Sequence, residues 1–226
     1  MIHVLGKPEC PFCWKVRLAL LEAGLDYESL PVDPATPEGR KIIARHSPQG
    51  TVPVMTHGDV ALWESSIMVE YVADLSSSLR PTTPAERARA RTTQYYSDTV
   101  VGPSLRKVVF EKRGKPEGDW NTERIREGTE GWLGCQAHLE KLLDGRAFFA
   151  GDGFSAAECA LIPRFGLAEH YGVGVTAKFP GLVRWFAAMK TRPSYAATRP
   201  GTFFEPDIAP TSAGEKRPFR GIMPPT

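Results

Sequence analysis

The chain opens on a short apolar stretch, residues 2–5, of strand length and followed by a loop. From residue 10 the apolar positions change period. Cys13, Val16, Leu20 and Ala23 fall three and four apart, as on one helix face, and Gly24 follows as a stop, predicting a helix over 10–23. Residues 27–32 return to strand character, and 38–45 read as a short polar helix ending before the turn Ser47-Pro48-Gln49-Gly50. Two further strand-like runs, 52–56 and 60–63, flank His57-Gly58-Asp59, a sequence suited to a tight antiparallel hairpin. From Ser66 onward, Met68, Tyr71, Val72 and Leu75 share a helical face. The order β-α-β-α-β-β-α over residues 1–76 predicts a small α/β sandwich.

Beyond it the strand signals stop. Residues 77–83, rich in serine and proline, read as a linker. Helical periodicity then runs over 84–111, 122–143, 156–171 and 182–191, with 114–119 breaking the first from the second. Ser155 and Glu158, three apart ahead of an apolar run, predict a capping box, and Pro163 inside that run predicts a bend. Six prolines between residues 200 and 226, without periodicity, predict an extended tail. The expected layout is an α/β domain (1–76), a linker (77–83), an all-helical domain (84–198) and a Pro-rich extended tail (199–226).

Composition narrows the function classes. The 28 basic and 26 acidic residues nearly cancel, to a formal charge of +2, which argues against a nucleic-acid partner. No apolar run approaches the ~20 residues of a bilayer span, and the first residues lack the layout of a secretion signal, so the expectation is a cytoplasmic protein with no membrane partner. Cys10, Cys13, Cys135 and Cys159 are too few for a disulfide scaffold at this length. With no second cysteine pair and scattered histidines, no metal is expected, and the Cys-x-x-Cys at 10–13 reads as thiol chemistry.

That chemistry has a local physical reason. Pro11 suits the first position of a helix, where its missing N–H costs nothing, and this puts Cys10 at the N-cap. There the sulfur faces unpaired backbone N–H groups and the positive end of the helix dipole, both of which favour thiolate. Lys7 and Lys15 add positive potential and Glu9 opposes it. Cys13, about one turn on, reads as a resolving thiol, or the pair as two ordinary buried cysteines.

The strand, loop and Cys10-Pro11-Phe12-Cys13 helix start resemble the thioredoxin-like fold, and specifically glutaredoxins and cysteine-type glutathione transferases of the omega, lambda and dehydroascorbate reductase kind. Two further segments carry the likeness. Residues 47–54 resemble the family's loop before a cis-proline, which implies a cis bond at Pro53 and backbone pairing of Val52 with the cysteinyl part of glutathione. Trp63-Glu64-Ser65-Ser66 resembles the segment that holds the γ-glutamyl end, implying Ser65 for its carboxylate and Glu64 for its ammonium, although Ser65 also reads as a plain helix cap. In the second half, the Ser155–Glu158 box and the run from Phe179 to Ser194 also resemble the family, so the likeness covers residues 1–198.

The resemblance implies a thioredoxin-like glutathione-binding domain followed by a helical bundle, with Cys10 and Cys13 catalytic and Pro11, Phe12, Val52, Pro53, Glu64 and Ser65 binding glutathione. It implies glutathione as co-substrate, a small hydrophobic or disulfide second substrate, a homodimer and thiol transfer or deglutathionylation. Two other readings stand beside it: a glutathione-dependent lyase or reductive dehalogenase on an aromatic substrate, and a non-catalytic glutathione-binding regulator. Tyr95, Tyr96 and Trp120 read as pocket or core, and Arg87, Arg89 and Arg91 as a solvated or dimer-facing row.

Overall fold

Strand β1 (Ile2–Gly6) pairs in parallel with β2 (Tyr27–Pro31) and antiparallel with β3 (Val54–His57), which pairs antiparallel with β4 (Val60–Trp63). The sheet order is therefore β2-β1-β3-β4 in the computed structural model, which describes residues 1–201. A parallel pair needs a crossover, and helix α1 (Pro11–Glu22) supplies it. Alternation along β1 then sorts the layers. Ile2 and Val4 enter the large core with Trp14 and Leu18 of α1 and with Met68 and Val72 of α3 (Ser65–Leu75). Leu5 joins Val32, Val54 and Ile43 of α2 (Pro37–Ala44) in a separate small cluster.

Three boundaries differ from expectation. Strand β3 starts at Val54 and not at residue 52, because Pro53 has no N–H for the ladder. Helix α3 starts one residue early, with Glu64 at its N-cap at φ 70° and making no side-chain cap bond, so Ser65 is its first residue and not its cap. The linker contains a 3₁₀ turn at Ser77–Leu79.

The remainder is helical. Helix α4 (Pro84–Tyr96) passes through a π turn at Ser97–Val101 into α5 (Gly102–Lys112). Pro103 lies just past that turn and has no N–H to return to the carbonyl four residues back, which accounts for the break in the α ladder. Then come α6 (Thr122–Leu143), α7 (Ala156–His170), α8 (Pro180–Lys190) and a short α9 (Pro193–Thr198) that carries no periodic signal of its own. The capping box is present. Glu158 accepts the Ser155 N–H at 3.0 Å, and the Ser155 hydroxyl accepts the Ala157 N–H at 3.2 Å.

Helix α7 is buried on all sides from Ala156 to Ala168, as befits a helix apolar all round, and it packs against both α1 and α4. A single core therefore joins the sheet half to the helical half. The expected tail lies outside the described residues from 202 onward.

Candidate active site at the start of the first helix

Cys10 is the N-cap of α1, with extended backbone (φ −73°, ψ 121°) and Pro11 in the first turn. Its N–H reaches the Lys7 carbonyl at 3.2 Å, and its own carbonyl accepts the Trp14 N–H at 2.9 Å, closing the first helical turn. The thiol is half-buried, whereas Cys13 is fully buried. The Cys10 pKa is lowered to about 6, first by a hydrogen bond from the Cys13 side chain, against the opposing effect of burial, and further by the Cys13 and Phe12 N–H groups and the charge of Arg164. Cys13 moves the other way, pushed well up by burial and by its bond to Cys10. Near neutral pH the pair is therefore a Cys10 thiolate beside a Cys13 thiol that donates to it.

The strand behind the pair is shaped to it. A methyl group on Gly6 would collide with the Cys13 sulfur. Gly6→Ala should therefore cost about 1–3 kcal/mol of stability, read as a lower denaturant midpoint at unchanged slope.

Both lysines expected to add positive potential at Cys10 are paired with carboxylates. Lys7 pairs with Asp33 at 3.0 Å, and Lys15, fully buried, bonds Asp98 at 2.6 Å. Arg164 of α7, also buried, reaches the other Asp98 oxygen at 3.3 Å and holds its guanidinium carbon 4.5 Å from the Phe12 ring centre. Neither Asp98 nor Arg164 was anticipated. The available signal was a lone arginine in the otherwise apolar run 159–168, since a charge on an all-buried helix needs a partner.

The other candidate residues divide into two groups. The Val52–Pro53 bond is cis, with Pro53 buried and Val52 half-buried. Glu64 is exposed and Ser65 is buried at the head of α3. A cleft of about 700 Å³ is lined by Phe12, Glu64 and Ser65 together with Ile67, Tyr95 and Asp98. Cys10, Pro11, Cys13, Val52 and Pro53 are not part of that lining.

Of the three aromatics, Tyr95 lines the cleft. Tyr96 instead packs on His138 at 4.6 Å, and the Trp120 ring lies 5.0 Å from the Lys112 amine. The arginine row is tied down locally: Arg91 grips Glu70 of α3 with bonds of 2.7–3.1 Å, and Arg87 donates to the Pro81 and Thr82 carbonyls. Among the described residues no helix is long and apolar enough to cross a membrane.

Known proteins place this architecture. Residues 9–75 match the glutathione S-transferase N-terminal domain, and residues 136–193 match the glutathione S-transferase C-terminal domain. The chain is 30% identical to glutathione S-transferase 1 of Dianthus caryophyllus over 74% of its own length and 77% of the relative's. It is 31% identical to a maleylacetoacetate isomerase of Rhizobium meliloti, over 73% and 80% of the two chains. In fold it is similar to a theta class glutathione S-transferase of Xanthomonas axonopodis with glutathione bound, at a TM-score of 0.76, 24% identity and coverage of 88% and 96%. With both halves matched in order, a four-stranded mixed sheet ahead of a helical bundle, and relatives at this identity over most of their length, the chain belongs to the glutathione S-transferase superfamily.

Proposed function

We propose that the protein is a cysteine-type glutathione transferase whose main activity is thiol transfer, with Cys10 as nucleophile. The observation that carries this reading is the placement of the cysteine pair: a half-buried Cys10 at the N-cap of α1 with the buried Cys13 one turn on, surroundings that lower the Cys10 thiol to about 6. A tyrosine or serine at this place could donate a hydrogen bond to the glutathione sulfur. A thiolate cannot donate, and attacks instead.

In the first step the Cys10 thiolate attacks the glutathionyl sulfur of a mixed disulfide, forming a Cys10–glutathione disulfide and releasing the other thiolate. A second glutathione thiolate then attacks that intermediate. Oxidised glutathione leaves and the Cys10 thiolate is restored, so one glutathione thiolate is consumed per mixed disulfide and the disulfide bond passes to oxidised glutathione.

Binding follows from the same surface. Val52, half-buried ahead of β3, would pair through its backbone with the cysteinyl part of glutathione. Ser65, first residue of α3, supports the γ-glutamyl carboxylate through the N–H groups of that helix end, with Glu64 beside the ammonium. Pro11 and Phe12 would border the reacting sulfur, and the cleft beyond Phe12 would take the small hydrophobic or disulfide second substrate. Family membership also supports a homodimer acting in the cytoplasm.

The test is glutathione-dependent reduction of the mixed disulfide of glutathione and 2-hydroxyethanethiol, together with iodoacetamide alkylation of Cys10 followed across pH. Turnover is expected, and alkylation should rise through a midpoint at about 6, because the proton comes off as pH increases. A midpoint near the ordinary ~8.5 of a free cysteine with no turnover would sink the reading and move attention to aromatic halides and ethers.

A further inference from the structure

We propose that Arg164 is a positioning residue for the reacting thiol: anchored on Asp98 and pressed against Phe12, it brings a fixed positive charge from the helical half of the protein to the start of α1. The inference rests on the reading of Cys10 as the reacting group.

Charge balance is the first argument. Lys15 and Arg164 are both buried, and both turn to a single carboxylate, Asp98. Two cations against one anion leave an excess of one positive charge in a region where unpaired charge is costly. Both cations lie over the ring of Phe12, two positions from Cys10, and a thiolate there supplies the missing negative charge. Burial pushes the remaining thiol of this region, Cys159, well up, so it stays protonated and does not balance the pair.

The geometry of the anchor is the second argument. Two arginines that tie elements together elsewhere, Arg91 and Arg192, make forked, short contacts. Arg91 holds both Glu70 oxygens, and Arg192 holds both Glu22 oxygens at 2.6 and 2.8 Å. Arg164 makes one bond of 3.3 Å to Asp98, and its buried Nε has no hydrogen-bond partner among the described residues. The guanidinium is thus held by shape as much as by its carboxylate. The Phe12 ring lies 4.5 Å away, and Gly102 leaves the room it occupies, since a methyl there would stand 3.1 Å from its central carbon. Such an arrangement leaves more of the cation's field unspent than a forked pair does.

The groups that could compete for control of Cys10 lie on every element around it. They are Cys13, Lys15 and Arg17 on α1, Lys7 and Glu9 in the loop before it, Glu64 at the head of α3 and Asp98 in the π turn. Lys7 is paired with Asp33 at the surface, and Arg17 is turned to the Pro8 and Thr198 carbonyls. Arg164 is among the groups that lower Cys10, and Cys10 in turn favours the charged form of Arg164.

The experiment uses the full chain and measures the pH midpoint of iodoacetamide alkylation at Cys10, located by peptide mass mapping. Arg164→Met is expected to raise the midpoint by about one pH unit. Arg164→Lys, which keeps the charge, should recover most of that shift. Asp98→Asn should move it the opposite way, because the cations are then less neutralised; a merely structural role would move the methionine and asparagine variants alike. An Arg164→Met protein with wild-type circular dichroism and an unchanged midpoint overturns the proposal. Should that variant fail to fold, Asp98→Asn decides: a midpoint at or above wild type also overturns it. A wild-type midpoint at the ordinary cysteine value without thiol-transfer turnover is a different result, since it removes the nucleophile itself.

Discussion

Cys10→Ser is expected to lower glutathione-dependent disulfide reduction by about a thousandfold or more, with the fold intact. Serine is nearly isosteric, and Cys10 makes no side-chain cap bond, so α1 loses little by the change. What disappears is the anion: a hydroxyl in the same surroundings stays protonated at neutral pH, and no covalent intermediate with glutathione can form. Cys13→Ser should behave differently. Its hydroxyl can still donate to the Cys10 thiolate, so activity should stay within about tenfold of wild type. Cys13→Ala deletes the donor that contributes most to lowering Cys10, so its alkylation midpoint should rise while some turnover remains. Steady-state rates with the mixed disulfide and mass spectrometry of the glutathionylated protein separate these cases. A loss in Cys13→Ser as deep as in Cys10→Ser would make Cys13 an obligatory resolving thiol and not a hydrogen-bond donor.

The cysteine pair could be read in advance because its chemistry is local. A strand, a proline and a helix start within a few residues set the backbone of Cys10, and position along the chain carries that information. The Ser155–Glu158 box is equally local, and for the same reason. Arg164 is different. It stands 154 positions from Cys10 (164 − 10), and it meets that region only because α7 packs against α1 and α4. Asp98 was hidden as well: it sits in a π turn that shifts the helix register, and the periodicity of 84–111 gives no warning of the shift. Lys15 was read as a source of field at Cys10 because only its distance along the chain was visible, whereas the fold turns it to Asp98. The aromatics show the same limit. Tyr95 and Tyr96 are adjacent in sequence, yet one faces the cleft and the other packs on His138 of α6.

Packing between the two halves governs the largest stability effect expected here, in Trp14→Ala. Trp14 is fully buried in α1 and reaches across the junction: its Nε1 donates to the Thr198 hydroxyl of α9 at 2.8 Å, and its ring lies 5.7 Å from that of Tyr195. Gly166 of α7 is the floor beneath that ring, since a methyl there would stand 2.6 Å from a ring carbon. Removing the indole opens a cavity where three helices meet, at a cost of about 3–5 kcal/mol. That is a large fraction of the ~5–15 kcal/mol that folded domains typically possess. Trp14→Phe keeps most of the apolar contact and gives up the hydrogen bond, and Thr198 retains its bond to the Ser194 carbonyl, so a cost of about 1–2 kcal/mol is expected. Gly166→Ala alone should cost about 1–3 kcal/mol by forcing the indole aside. Combined with Trp14→Phe it should cost less than the sum, because the smaller ring leaves room for the methyl; a coupling of about 1 kcal/mol is in the range for residues in contact. Urea denaturation of the four proteins measures this cycle. Strict additivity would mean that ring and glycine do not share the contact.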